Sequence, residues 1–249
     1  MYEKELELAI SAAKKAGEFL LLRKDIFVDS SEGKDIKLSS DKKSEKIIID
    51  VLKETKIPIL SEECGLINDS NTDMKWIIDP LDGTANYWRG LDELACVSVA
   101  LWKGNKPLLG VVYRFSIDEL YYGVVGKGAW LNGTPIHTSD VSEVKNATLT
   151  TGIPIKFDFK DDMEKLANNI RSFKKIRMLG TAAIMGVLVG CGKADVYIEN
   201  GIMLWDIAGS AAIVEAAGGS SIIECKENIC ACKLFANKAL MGNYLDKIV

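Results

Sequence analysis

Between Leu6 and Leu22 the apolar residues Leu6, Ala9, Ile10, Ala13, Ala16, Leu20 and Leu21 recur three or four positions apart, the spacing of one helix face, and Gly17 is tolerated among them. The polar stretch 29–40, with Gly33 inside it, reads as a mobile loop. It leads to a second helix that Ser39, Ser40 and Asp41 announce and that continues through residues 47–52. Ile57-Pro58-Ile59-Leu60 predicts a short strand, and residues 64–75, rich in Asn, Asp and Ser, a surface connection. The apolar run from Trp76 predicts a buried strand ending on Asp79, with Pro80 blocking further pairing. Residues 96–102 and 108–113 predict strands joined by the hairpin signal Lys103-Gly104-Asn105-Lys106, and 120–125 continues the meander. A polar interruption at 134–145 follows. Beyond it strand-like pieces at 147–151, 175–178, 195–199 and 221–223 alternate with helical ones at 162–173, 181–191 and 206–217, the last closed by Gly218-Gly219. This is an α/β pattern, expected to form two intimately packed halves, residues 1–140 and 141–249, with a site between them.

Bulk properties exclude more than they select. The chain has 249 residues, 48% hydrophobic and 27% charged, an ordinary globular balance that allows one sizeable core or two small ones. A formal charge of −4 leaves no electrostatic footprint for nucleic acid, which is therefore not an expected partner. The charged start Met1-Tyr2-Glu3-Lys4-Glu5 runs into an amphipathic pattern and does not read as a signal peptide, and no apolar run reaches bilayer-spanning length, so no membrane association is expected. Cys64, Cys96, Cys191, Cys225, Cys230 and Cys232 have no framework spacing, which suits reduced thiols in a cytoplasmic protein, and Cys230-Ala231-Cys232 matches no zinc pattern. The single histidine, His137, lies beyond Asn132-Gly133 in a turn-like stretch and reads as a surface residue, which argues against His-centred catalysis.

Candidate chemistry gathers in Trp76-Ile-Ile-Asp79-Pro-Leu-Asp82-Gly83-Thr84-Ala-Asn86, which brings two carboxylates to one strand end. Carboxylates crowded there repel each other and resist desolvation, so cations are expected to neutralise them, and oxygen ligands favour Mg²⁺. With a helix starting near Thr84, the free N–H groups of Gly83 and Thr84 would offer a seat for a phosphate oxygen beside the metal. Asp-Pro and Asp-Gly are also common turn formers. A second acidic turn, Trp205-Asp206-Ile207-Ala208-Gly209, and the Glu62-Glu63 pair after another apolar strand raise this stretch above an ordinary turn.

Asp79 to Thr84 matches the signature Asp-Pro-Leu/Ile-Asp-Gly-Thr; Trp205 to Ala208 with Ala217 to Gly219 matches Trp-Asp-x-Ala followed by a helix ending in Ala-Gly-Gly. With Glu62-Glu63 and the Gly-Thr-Ala-Ala element Gly180 to Ala183 in the same order, the chain resembles the inositol monophosphatase family of Mg²⁺-dependent, lithium-sensitive phosphatases over roughly its whole length. The resemblance implies an alternating αβαβα sandwich, two or three Mg²⁺ ions, a small phosphorylated metabolite as substrate, and a homodimer. It also implies roles. Asp79 would bridge two metals, Glu62 and the Leu81 carbonyl would complete one site, and Asp82 and Asp206 would hold the second. Thr84, backed by Asp41, would orient the attacking water while the Gly83 and Thr84 amides hold phosphate. Gly180, Ala182 and Glu199, with Asp82 and Asp206, would line the sugar-alcohol pocket, and Lys34 matches a loop lysine near the metals.

Departures bear on the substrate. Ala85 stands where many inositol phosphatases have a second threonine, and Tyr87-Trp88-Arg89 is not their usual continuation. Pro58 to Glu63 resembles the subgroup that hydrolyses 3′-phosphoadenosine 5′-phosphate, yet that subgroup usually has lysine at position 85 and lacks the full Gly-Thr-Ala-Ala element. A polyol or sugar monophosphate is the favoured substrate, with 3′-phosphoadenosine 5′-phosphate and fructose-1,6-bisphosphate as alternatives. A non-catalytic RNA- or protein-binding regulator on the same fold is the alternative of another class, disfavoured because every expected metal carboxylate is present and no basic tract stands out.

Overall fold

Helix α1 (Glu3–Leu21) buries a face of small residues, Ala9, Ala12, Ala13, Ala16 and Gly17, ending in Leu20, and carries Glu3 and Glu5 in its first turn, where carboxylates suit the helix dipole. The structure, a computed structural model, describes residues 2–24, 26–32, 35–68, 70, 72–153 and 159–246. The expected mobile loop at 29–40 is corrected: β1 (Val28–Glu32) and β2 (Asp35–Leu38) pair antiparallel, Val28 opposite Leu38. Cross-strand backbone bonds order this polar stretch without the apolar alternation that marks strands in sequence. Lys34, the expected loop lysine, lies outside the described residues.

Next come α2 (Ser39–Leu52), β3 (Ile59–Ser61), β4 (Gly65–Ile67) and β5 (Met74–Asp82). The expected stop at Pro80 is also corrected. Strand β5 runs on to Asp82 through an irregularity in its pairing with β6 (Cys96–Lys103), where Asp79 faces Ser98 and Asp82 faces Cys96. A bulge is where a strand tolerates a residue without an N–H, so the proline bends the strand instead of ending it. A short helix, α3 (Thr84–Trp88), separates β5 from β6 and starts where the sequence predicts.

Strands β7 (Lys106–Arg114), β8 (Glu119–Val124), β9 (Gly128–Leu131) and β10 (Thr134–Ile136) complete an eight-stranded sheet in the order β10-β9-β8-β7-β6-β5-β3-β4. Only β3 and β5 pair parallel in it; the other neighbours are antiparallel. The rest of the chain comprises β11 (Thr148–Thr151), α4 (Phe159–Ser172), β12 (Lys175–Arg177), α5 (Ala182–Gly190), β13 (Val196–Met203), α6 (Leu204–Ala216), β14 (Ser220–Lys226), β15 (Ile229–Phe235) and α7 (Lys238–Leu245). Its sheet has the order β12-β11-β13-β15-β14.

The layers follow from which faces are apolar. Helices α1 and α2 cover one side of the large sheet with a core that includes Trp76, Ile78, Val97 and Val99. Helices α5 and α6 are apolar nearly all round, so both are buried between the two sheets. Trp102 of β6 donates its indole N–H to the Ala208 carbonyl of α6 at 3.2 Å. Helix α7 packs on β15, and Tyr244 meets the rings of Phe173 and Phe235. The α/β layered class expected from the sequence is the one observed. The expectation of six reduced cysteines is corrected, because Cys225 and Cys230 are disulfide-bonded. Counting positions along the chain misses that they face each other across the β14–β15 hairpin. Cys64, Cys96, Cys191 and Cys232 are free thiols, and His137 is exposed.

Candidate active site

Strand β5 turns at its bulge so that Asp79 and Asp82 both face a cavity of about 370 Å³ at the junction of the two sheets. Glu62, just past β3, and Asp206, in the first turn of α6, enter the same cavity wall, with Leu81, Gly83, Thr84 and Gly180. Four carboxylates from three separate segments of the chain thus share one space. Asp79 is buried, and its carboxyl is pushed well above the usual range, first by burial and then by Glu62, Asp82 and Asp206. Asp206 is raised well above it as well, by burial and then by Asp82 and Glu62. Asp82 is pushed up to about 6 by burial, against the pull of hydrogen bonds from Thr181, Ala183 and Ala182.

Local structure holds each group. Asp79 Oδ1 accepts the Leu81 N–H at 2.9 Å, an Asx turn that shapes the bulge. Gly83 has φ of +87°, and a Cβ there would lie 2.4 Å from the Leu94 carbonyl oxygen, so only glycine fits before α3. Asp206 Oδ2 accepts the Met203 N–H at 3.2 Å, the return half of a capping box. Asp41 does the same at the start of α2, taking the Leu38 N–H at 2.8 Å. The carboxamide of Asn86 reaches across the molecule to the carbonyls of Leu94 (2.9 Å), Leu179 (2.9 Å) and Gly180 (3.2 Å), tying α3 to the turn before α5.

The expected residues do not all meet. Thr84 donates its hydroxyl to the Leu81 carbonyl at 2.9 Å, and Asp41 Oδ1 is buried without a hydrogen-bond partner, so the two are not bonded to each other. The Asp41 carboxyl is pushed up to about 7 by burial. Ala182 is outside the cavity wall. Glu199 faces a separate small cavity of about 50 Å³ beside Gly152, Asp162, Lys165 and Asn169, where its Oε2 accepts the Tyr197 hydroxyl at 2.9 Å. Lys37, Trp205 and Met203 line the main cavity and were not singled out as site residues from sequence. Lys37 sits on β2, and its ammonium pairs with Glu63 at 3.0 Å.

The donor set fits a hard divalent cation. It consists of carboxylates and a backbone carbonyl, and the Leu81 oxygen keeps a second lone pair while it accepts from Thr84. Among the described residues no three acidic, thiol or imidazole groups close into a cage for an ion. Mg²⁺ keeps several of its waters and is bound through one or two carboxylates, so a wall of spaced carboxylates suits it.

The sequence model of the Inositol monophosphatase family matches residues 1–241. The chain belongs to this family. It is accordingly a phosphoric monoester hydrolase. Among its relatives, Inositol monophosphatase 3 of Solanum lycopersicum is 39% identical over 232 residues, 87% of this chain and 85% of that protein. Nus factor SuhB of Pasteurella multocida (strain Pm70) is 34% identical over 222 residues, 86% of this chain and 83% of that protein. The structure of inositol monophosphatase from Anabaena (Nostoc) sp. PCC 7120 superposes with a TM-score of 0.83 at 28% identity, covering 98% of this chain and 94% of that one. The family fold thus spans both sheets and the cavity between them.

Proposed function

We propose that this family member hydrolyses a small phosphate monoester, inositol monophosphate or a related polyol or sugar phosphate, with Mg²⁺ as its cofactor. The observation that carries the reading is the convergence of Glu62, Asp79, Asp82 and Asp206 on one cavity beside the Gly83-Thr84 turn. Asp79, Glu62 and the Leu81 carbonyl would hold one ion, and Asp79, Asp82 and Asp206 another. Bound there, Mg²⁺ supplies the positive charge that makes water acidic enough to attack and that offsets charge on the leaving oxygen. The amides of Gly83 and Thr84 orient the phosphoryl oxygens, and Thr84 Oγ1, between the Leu81 carbonyl and the cavity, accepts a proton contact from water. Gly180, with Asp82 and Asp206, borders the leaving group. Li⁺, a small hard cation, is expected to compete for the same oxygens. A homodimer in the cytoplasm belongs to the same reading; among the described residues no helix is long and apolar enough to cross a membrane.

The test is phosphate release with Mg²⁺ from myo-inositol 1-phosphate, fructose-1,6-bisphosphate, 3′-phosphoadenosine 5′-phosphate and several sugar phosphates. A kcat/KM at least about tenfold higher for a polyol or sugar monophosphate supports the reading; preference for the nucleotide or the bisphosphate replaces the substrate class. A regulatory binding role is the second reading, favoured by the likeness to a protein named as a Nus factor. Silence on every substrate by a chain that still binds Mg²⁺ would move weight to it.

A further inference from the structure

Asp82 ends β5, and Thr181 stands 99 positions later, immediately before α5. The Thr181 hydroxyl donates to Asp82 Oδ2 at 2.6 Å, and the Ala183 N–H donates to the same oxygen at 2.7 Å. The Cys96 thiol lies 3.8 Å from that oxygen, and the Ala182 N–H is a further donor to the carboxylate. Thr181 has the extended backbone of an N-cap residue, yet its side chain caps none of the amides of α5. Asp82 takes that place, so a carboxylate from the first sheet caps a helix of the second half of the chain. Its own cavity-facing position is unaffected by this, because Asp82 also lines the acidic cavity.

Donors concentrated on Oδ2 fix the plane and rotation of the carboxylate and leave Oδ1 for the cavity. A hydroxyl is required for that, because a methyl in the same space would fill the volume but donate nothing. Thr181 is 2% exposed, so loss of its hydroxyl leaves the buried carboxylate oxygen one donor short.

We infer that Thr181, with the first-turn amides of α5, is a positioning residue that holds Asp82 for coordination of a divalent cation through a single oxygen. The cation site then depends on a helix that contributes no ligand to it. The inference rests on the Mg²⁺-dependent reading above.

Isothermal titration of Mg²⁺ into the substrate-free protein tests it, comparing wild type with Thr181→Val and Thr181→Ser. Loss of the hydroxyl is expected to raise the Mg²⁺ Kd by about tenfold, the usual scale for a group that orients a metal ligand. The Mg²⁺ concentration giving half-maximal activity is expected to move by the same factor, and Thr181→Ser is expected to stay within about twofold of wild type. Thr181→Ala removes the same hydroxyl without adding a methyl and gives the same readout if the valine variant does not fold. Unchanged Mg²⁺ affinity in a folded Val or Ala variant would overturn the inference, and so would a serine variant as weak as the valine one. Failure of the wild type to bind Mg²⁺ would instead overturn the metal reading itself.

Discussion

The acidic cavity and the Glu199 corner both bury carboxylates, but they neutralise them in different ways. In the cavity, Asp79, Asp82, Asp206 and Glu62 face one another, and burial plus mutual repulsion raises the carboxyls of Asp79 and Asp206. Glu199 takes hydrogen bonds from Tyr197 and the Gly152 amide within its own corner; burial pushes it up to about 7, with a smaller contribution from Asp82. One proton is enough to settle Glu199. On the Mg²⁺-dependent reading proposed above, the cavity would instead gain positive charge from a bound cation, which leaves its carboxylate oxygens ionised to act as ligands. A buried acid is therefore not by itself a sign of metal chemistry; several acids that cannot be protonated without losing their use are.

The largest effect should come from breaking the cavity. Asp79→Asn keeps the shape and removes one charge, and kcat is expected to fall by about 10³-fold or more. The same variant in EDTA is expected to melt at or above the wild-type temperature, because one member of the repelling set is gone; unchanged turnover would sink the assignment of Asp79. At the other site the effect is on stability. The folded Glu199 carboxyl lies near 7 against 4.5 for an unperturbed glutamate, so the native state holds its proton more tightly than the unfolded one. That stabilisation is fully present below about pH 4.5 and is lost as pH rises through about 7, a change of about 3 kcal/mol. Glu199→Gln, which stays neutral and can still accept from Tyr197, is expected to flatten this part of the urea-unfolding profile between pH 5 and 8. A profile as steep as wild type would remove Glu199 as its source. Asp41, pushed up to about 7, and Asp82, pushed up to about 6, titrate in the same window and set the background against which it is read. The smallest effect sharpens the packing side of the comparison. A Cβ on Gly152 would lie 2.3 Å from Glu199 Oε2, so Gly152→Ala is expected to destabilise by about 1–3 kcal/mol, with turnover at saturating Mg²⁺ moved less than by Asp79→Asn.

Much of the fold could be read because its elements carry strong periodicity: α1, the meander β6–β7–β8 and the small-residue helix α6 all lie close to the expected positions. The strand through Asp79 was legible as well, but its end was not. Pro80 stops an ideal ladder, and only the pairing of Asp82 with Cys96 reveals that the strand resumes. The β1–β2 hairpin was hidden because its order comes from backbone pairing, and β15 and α7 were not assigned from sequence at all. Within the site, the carboxylates were visible as motifs at turns. Their supports were not: Thr181 and Asn86 act on groups more than 90 positions away, and no local spacing encodes that. Thr84 and Asp41 are not hydrogen-bonded to each other here, since each side chain has a backbone partner within three residues.

The bond from Thr181 to Asp82 also bears on when the site comes into being. A chain leaves the ribosome N-terminus first, and its early part can begin to organise before the rest exists. Asp41, Glu62, Asp79, Asp82 and Thr84 all precede residue 85, yet the donors that fix Asp82 and the carboxylate of Asp206 come only after residue 180. A nascent chain holding the whole Asp79–Thr84 motif is thus a protein without its site, and it stays so until α5 and the start of α6 have emerged and docked.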